Sequence, residues 1–174
     1  MKTNFIFCCL AFVSVLFSCN KDAPVDNVNT ASIEFTLNEK NYKWSFQPDR
    51  ASLQQGATLQ RKTNQNTNQR VYVLDAWSSP DGISVLCFLN TSVLGLGTFN
   101  ITTAVSDLYV NSICQVNGIK YVSYAGDGTS VTITKISGNY VSGYFSAVMH
   151  DMISSTSEIK IYKGYFSNIL IEER

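Results

Sequence analysis

Leu108-Tyr109-Val110-Asn111-Ser112-Ile113-Cys114-Gln115-Val116-Asn117-Gly118-Ile119-Lys120-Tyr121-Val122-Ser123-Tyr124 is the stretch that decides the fold. Two runs suited to strands, Leu108 to Val116 and Ile119 to Tyr124, are separated by Asn117-Gly118 alone. Asn-Gly is the strongest two-residue hairpin signal, because both central residues must take positive φ for the turn to match the twist of the strands it joins. Toward the C-terminus, Gly126-Asp127-Gly128 turns the chain again, and Ser137-Gly138-Asn139 separates Val131 to Ile136 from Tyr140 to Met149. In the latter run Val141, Gly143, Phe145 and Ala147 share one face, and Tyr140, Ser142, Tyr144 and Ser146 the other. Gly143 there marks a bulge or a close backbone approach. Glu158 to Tyr162 and Tyr165 to Ile171 end the chain, broken at Lys163-Gly164.

The same period continues toward the N-terminus. Ile83 to Asn90 is apolar on both faces, as a central strand is. Ser79-Pro80-Asp81-Gly82 is a turn that joins it to Val71 to Trp77, and Thr98 to Thr102 starts a strand after Gly95 and Gly97. Ile33, Phe35 and Leu37 alternate with Glu34 and Thr36; Tyr42, Trp44 and Phe46 alternate with Lys43 and Ser45. With Asn38-Glu39-Lys40-Asn41 as the turn, they form a hairpin with one apolar face. Gln54 to Arg70 is rich in Gln and Asn, with Leu59 its one large apolar residue, and is expected to be mainly a long exposed loop, with at most a short strand at Ala57 to Gln60. About ten short strands at roughly 8–12-residue spacing, with no 3.6-residue period, predict an all-β domain over 32–174: an antiparallel β-sandwich or a partly open β-barrel.

Ahead of that domain stands an apolar run, Phe5 to Phe17, behind Lys2. It is shorter than the roughly 20 residues that span a bilayer. Leu16-Phe17-Ser18-Cys19 follows, and it resembles the Leu-x-small-Cys pattern of a bacterial lipoprotein signal. The resemblance implies that residues 1–18 are removed and that Cys19 is acylated with palmitate-type chains, with residues 19–31 as a flexible tether. Each buried CH₂ contributes about 0.8 kcal/mol, so several chains together hold a protein that one would not. Cys8 and Cys9 leave with the signal. Asn20-Lys21-Asp22 lacks the Asp next to the lipidated cysteine that retains lipoproteins at the inner membrane, and partly resembles a surface-export signal. An outer-membrane protein facing the cell exterior is therefore expected; the alternative is one facing the periplasm.

Gly97-Thr98-Phe99-Asn100-Ile101, Gly128 to Thr134, Val141-Ser142-Gly143-Tyr144-Phe145-Ser146 and Ile161 to Ile169 occur in an order that resembles a small Bacteroidetes-type lipoprotein family with an all-β domain of unknown function. The resemblance covers about residues 95–170. It implies an extracytoplasmic β-domain and brings no catalytic residues.

Basic and acidic residues are equal at 13 each, and no basic stripe is visible, so nucleic acid is not an expected partner. Cys87 and Cys114 are candidates for a disulfide in an oxidising compartment, a loop closure worth about 3–4 kcal/mol in chain-entropy terms. Two separate buried thiols are the alternative. His150 is the lone histidine, and no nucleophile elbow accompanies it. Asp75, Asp81, Asp107, Asp127 and Asp151 fall mostly at turns or strand ends, where turn formation accounts for them. No pattern calls for a metal or other cofactor. Aromatics are the residue class most open to function: Trp44, Trp77 and nine tyrosines offer rigid amphipathic surfaces. Tyr144 and Tyr162 stand out because their strand-mates are polar. The expectation is a membrane-anchored, non-catalytic binding or accessory module for a glycan or protein ligand. The rivals are a hydrolase of envelope or environmental polymers and a purely structural envelope protein.

Overall fold

The computed structural model describes residues 30–49, 54–63, 70–89, 91, 93–100, 110–124, 126–154 and 157–173. Cys19, the leader, most of the tether and Asp107 lie outside the described residues. Eleven strands run in chain order: β1 Ala31–Leu37, β2 Lys40–Phe46, β3 Gln55–Thr63, β4 Arg70–Ser78, β5 Ile83–Leu89, β6 Gly97–Asn100, β7 Val110–Val116, β8 Ile119–Tyr124, β9 Ser130–Ser137, β10 Tyr140–Asp151 and β11 Glu158–Glu173. Among the described residues there is no helix.

All eleven belong to one hydrogen-bonded sheet, ordered β2-β1-β11-β3-β4-β5-β7-β8-β10-β9-β6, with β10 and β11 also paired. That extra pairing divides the ladder into two walls. One wall is β2-β1-β11-β10-β9-β6; the other is β3-β4-β5-β7-β8. The tail of β11, Leu170 to Glu173, pairs with β3, and the tip of β10, His150 and Asp151, pairs with β8. Strands that pass from one wall to the other make corners of this kind, and the result is not a regular closed barrel. The all-β expectation stands, with one difference: β3 and β11 run parallel, so the sheet is mixed.

The core lies between the walls. Ile33, Phe35 and Trp44 from one meet Leu59, Leu74, Val85 and Cys87 from the other, all essentially sealed from solvent. Phe35 sits at its centre, edge-on to Trp44 at 5.0 Å between ring centroids and 6.0 Å from Phe145. The Trp44 indole nitrogen donates to Asp81 Oδ2 at 2.8 Å, and Ser78 Oγ donates to the same oxygen at 2.7 Å. A turn residue read from sequence thus also fastens the first hairpin to the β4–β5 turn. Both expected hairpin turns are tight: Asn38 and Glu39 have φ of 45° and 71°, and Asn117 and Gly118 of 49° and 85°, the positive values that the two-residue turn demands.

Gln54 to Arg70 is corrected. Gln55–Thr63 is a full strand paired along its length with β4, and residues 64–69 lie outside the described residues. Ala57 and Leu59 are completely buried in the core. The outer side of β3 carries Thr58 and Gln60, so the strand needs only small or single apolar residues inside, and its composition hides it. The expected break at Lys163-Gly164 is a bulge within one continuous β11. Lys163 has φ of 50° and Asn168 of 55°. Inward positions run Ile159, Ile161, Gly164, Phe166 and Ile169, and each positive-φ residue inserts one extra step.

Gly143 does mark both a register shift and a close approach. The pairing of β10 shifts there against β11 and β9, and a Cβ at this position would fall on the carbonyl oxygen of Thr132 and lie 2.8 Å from the Phe166 ring. Gly164 is similarly tight, with the Phe145 backbone oxygen 2.5 Å from where its Cβ would stand. Gly143→Ala is therefore expected to destabilise the domain by about 1–3 kcal/mol or more, as overpacking does. Gly95→Ala, where nothing lies within 4 Å, is the control. Urea unfolding followed by tryptophan fluorescence measures the difference.

Candidate functional site

The wall β2-β1-β11-β10-β9-β6 turns one face to the core and the other to solvent. One line of directly opposed residues crosses its outer face: Lys43, Glu34, Tyr165, Tyr144, Thr132 and Thr98. Tyr144 and Tyr165 stand side by side at its middle, ring centroids 5.4 Å apart and planes tilted by 50°. They are 53% and 38% exposed, and Tyr162, one step along β11, is 48% exposed. The bulge at Lys163 puts Tyr162 and Tyr165 on the same side; without it, residues three apart in a strand face opposite ways.

The rings are exposed because what surrounds them is short. Tyr144 has Ser142 and Ser146 along its own strand, and Tyr165 has Ser167; Ser32 and Thr36 lie diagonally on β1, Ser130 and Thr134 on β9. Several of these hydroxyls bond one another or a neighbouring amide: Ser130 with Ser146 at 3.0 Å, Thr98 with Thr132 at 2.9 Å, and Thr36 to Asn41 at 2.7 Å. The floor is thus held polar, with three phenol rings exposed on it. Charge at its borders is paired, Glu34 with Lys43 at 3.2 Å and Glu158 with Lys160 at 2.7 Å, and Lys163 sits at the bulge.

Tyr144 and Tyr162 are thus the exposed aromatics that their polar strand-mates predict. Tyr165 escaped sequence reading, because the bulge hides that it shares a face with Tyr162. Trp44 is core. Trp77 lines an open depression of about 260 Å³ with Ser79, Ser84, Gln115 and Gly118.

The carboxylates take up structural tasks. Asp81 accepts from Trp44 and Ser78, as described. Asp127 Oδ2 accepts from the Tyr124 amide at 2.7 Å and lies 3.6 Å from His150 Nε2. Asp151 Oδ1 accepts from the amides of Ile153 and Ser154 at 2.8 and 3.3 Å. His150 lies at the end of β10, opposite Glu158. The nearby hydroxyls of Ser112, Ser123 and Thr129 are buried and bond one another. Asp75 is different. It lies on the outer side of β4 next to Val73, and burial pushes its carboxyl up from the ordinary range; Lys62 partly offsets this and Glu172 adds to it. Among the described residues, no group of three or more His, Cys, Asp or Glu side chains could hold a metal ion.

Cys87 and Cys114 are free buried thiols. Cys87 faces Ser112, and Cys114 faces Val85, so the two are diagonal neighbours on adjacent strands. Diagonal positions are about 7–8 Å apart, at or beyond the Cα separation that a disulfide spans. Burial pushes both thiols up to about 12.

No protein-family model matches the chain, no curated protein matches its sequence and no solved structure matches its fold. Functional meaning therefore comes from the residues themselves.

Two pH effects follow. A thiol whose ionisation is raised in the folded state stabilises fully below its unfolded pKa and less as pH climbs through the folded one. Stability should fall between about pH 9 and pH 12, and the Cys87→Ala, Cys114→Ala double variant should show a shallower fall in urea midpoints over that window. The raised carboxyl of Asp75 has the same sign: at neutral pH its charge favours the unfolded chain. Asp75→Asn should raise the melting temperature at pH 7, and the gain should vanish as pH drops below the ordinary Asp range. Scanning calorimetry at both pH values checks it.

Proposed function

We propose that this protein is a lipid-anchored binding module of the bacterial cell envelope, held by acyl chains on Cys19 and using the outer face around Tyr144, Tyr162 and Tyr165 to engage a ligand. The observation that carries the reading is the exposure of these three rings on a hydroxyl-rich floor. Aromatic side chains left in solvent cost solubility and gain nothing in folding, so three grouped on one face suit recognition. Tyrosine is well fitted to that task, with large contact area, two side-chain torsions and a polar tip.

A hydrolase would need two acids facing one cleft. Asp81, Asp127 and Asp151 are each occupied by turn and strand-end hydrogen bonds, and Asp75, on the outer side of β4 with Glu172 acting on it, lies away from the tyrosine face. The tyrosine face is a shallow platform, and that form favours binding over bond cleavage. The lipid anchor follows from Leu16 to Cys19, and the outward orientation from Asn20-Lys21-Asp22.

A photo-reactive benzophenone side chain introduced at Tyr162 in intact cells should give a covalent adduct of raised mass, and Tyr144→Ala in the same chain should reduce it severalfold. The same probe at Lys62, on the other wall, should give none. Equal adducts from both positions, or none from Tyr162, sink the binding reading. Mass spectrometry of the membrane-extracted chain tests the anchor separately: an N-terminus other than a modified Cys19 overturns it.

A further inference from the structure

The face described above has a chemistry that narrows the ligand. Its central rings are ringed by Ser and Thr hydroxyls, which both donate and accept hydrogen bonds. Its border acids Glu34 and Glu158 are each paired with a lysine, and Lys163 at the bulge is an isolated charge, so the face offers no dense charged stripe to a charged polymer. An apolar ring face with hydroxyls at its edges matches a sugar ring, which presents C–H groups on its faces and hydroxyls around its rim. The spacing adds a second constraint. Rings 5.4 Å apart sit about one sugar residue from each other, and their 50° tilt prevents a flat ribbon from lying on both.

We infer that the outer face of β1, β11, β10 and β9 binds a neutral, soluble polysaccharide whose residues turn along the chain, with Tyr165 and Tyr144 stacking on successive sugars across the strands. This rests on the binding reading of the same face. Tyr162 extends the platform along β11, and the hydroxyls of Ser146, Ser130 and Thr132 lie where the rim of a stacked sugar needs partners. No bond is made or broken in this role.

The test is affinity electrophoresis of the full chain in non-ionic detergent, through gels containing soluble starch, dextran or alginate, together with a pull-down on microcrystalline cellulose. Retardation is expected with at least one of the two neutral soluble polymers, equal at low and high salt because no ion pair carries it. Alginate and cellulose should give none. Tyr144→Ala and Tyr165→Ala should each weaken the interaction roughly tenfold, while Tyr144→Phe, which keeps the ring, should stay within about threefold. Melting temperatures of these surface variants should match the parent. Absence of retardation by both neutral polymers, binding to alginate that salt abolishes, or retardation unchanged in the double alanine variant overturns the inference. If the benzophenone adduct at Tyr162 forms while neither polymer retards the chain, the glycan assignment falls and the binding reading survives; if both experiments fail, both readings fall.

Discussion

Everything in this fold hangs on the contact between β10 and β11, and that contact depends on two absent Cβ atoms. Gly143 lies where the backbone of β9 and the ring of Phe166 converge, and Gly164 lies against Phe145. Close approach here lets the two longest strands remain hydrogen-bonded through their register shifts and still bend out at their far ends to reach the second wall. If either strand were forced away, β3 would lose its parallel partner and β8 its link to β10. The core aromatics Phe35, Phe145 and Phe166 fill the space beneath this crossing. Trp44, with its charge-assisted hydrogen bond to Asp81, an interaction class worth about 1.5–3 kcal/mol, ties the outer hairpin to the opposite wall.

Bulges give β11 its second property. An unbroken alternation would send Tyr162 and Tyr165 to opposite sides of the sheet, one of them into the core. The extra residue at Lys163 brings both to the solvent face and sets Gly164 inward at the crossing. One backbone feature thus supports both the packing and the platform: the bulge that turns Gly164 inward to make room for Phe145 also aligns the phenols. The second extra step, at Asn168, is held by the Asn168 amide donating to Ser142 Oγ at 3.0 Å, and it returns Ile169 to the core.

What the sequence showed and what it hid divide along the same line. Hairpins with one apolar face, such as Ile33 to Phe46, and turns that demand positive φ, such as Asn117-Gly118, were legible because each is a local rule. The central strand Ile83 to Leu89 was legible from apolarity on both faces. Strand β3 was not, since it draws on Ala57 and Leu59 alone for its core side and carries Thr58 and Gln60 on the other. The break placed at Lys163-Gly164 was a true loss of alternation, misread as a chain break because a bulge and a loop look alike in a one-dimensional pattern. The parallel pairing of β3 with β11 joins residues more than a hundred positions apart, and nothing local announces it.

For the tyrosine face, sequence yielded Tyr144 and Tyr162 through their polar neighbours, and the structure adds Tyr165 and the reason the group is open. Thr favours strands, and both Ser and Thr are too short to lie over a neighbouring ring. Longer polar residues such as Lys or Arg at the same positions would cover the phenols with their aliphatic stems. The hydroxyl frame therefore has two effects at once: it satisfies its own hydrogen bonds across the strands, and it leaves the ring faces of Tyr144 and Tyr165 as the tallest and least polar feature of an otherwise level surface. A surface selected only for solubility would not need that combination, since charged residues keep a sheet face soluble more effectively than tyrosine does.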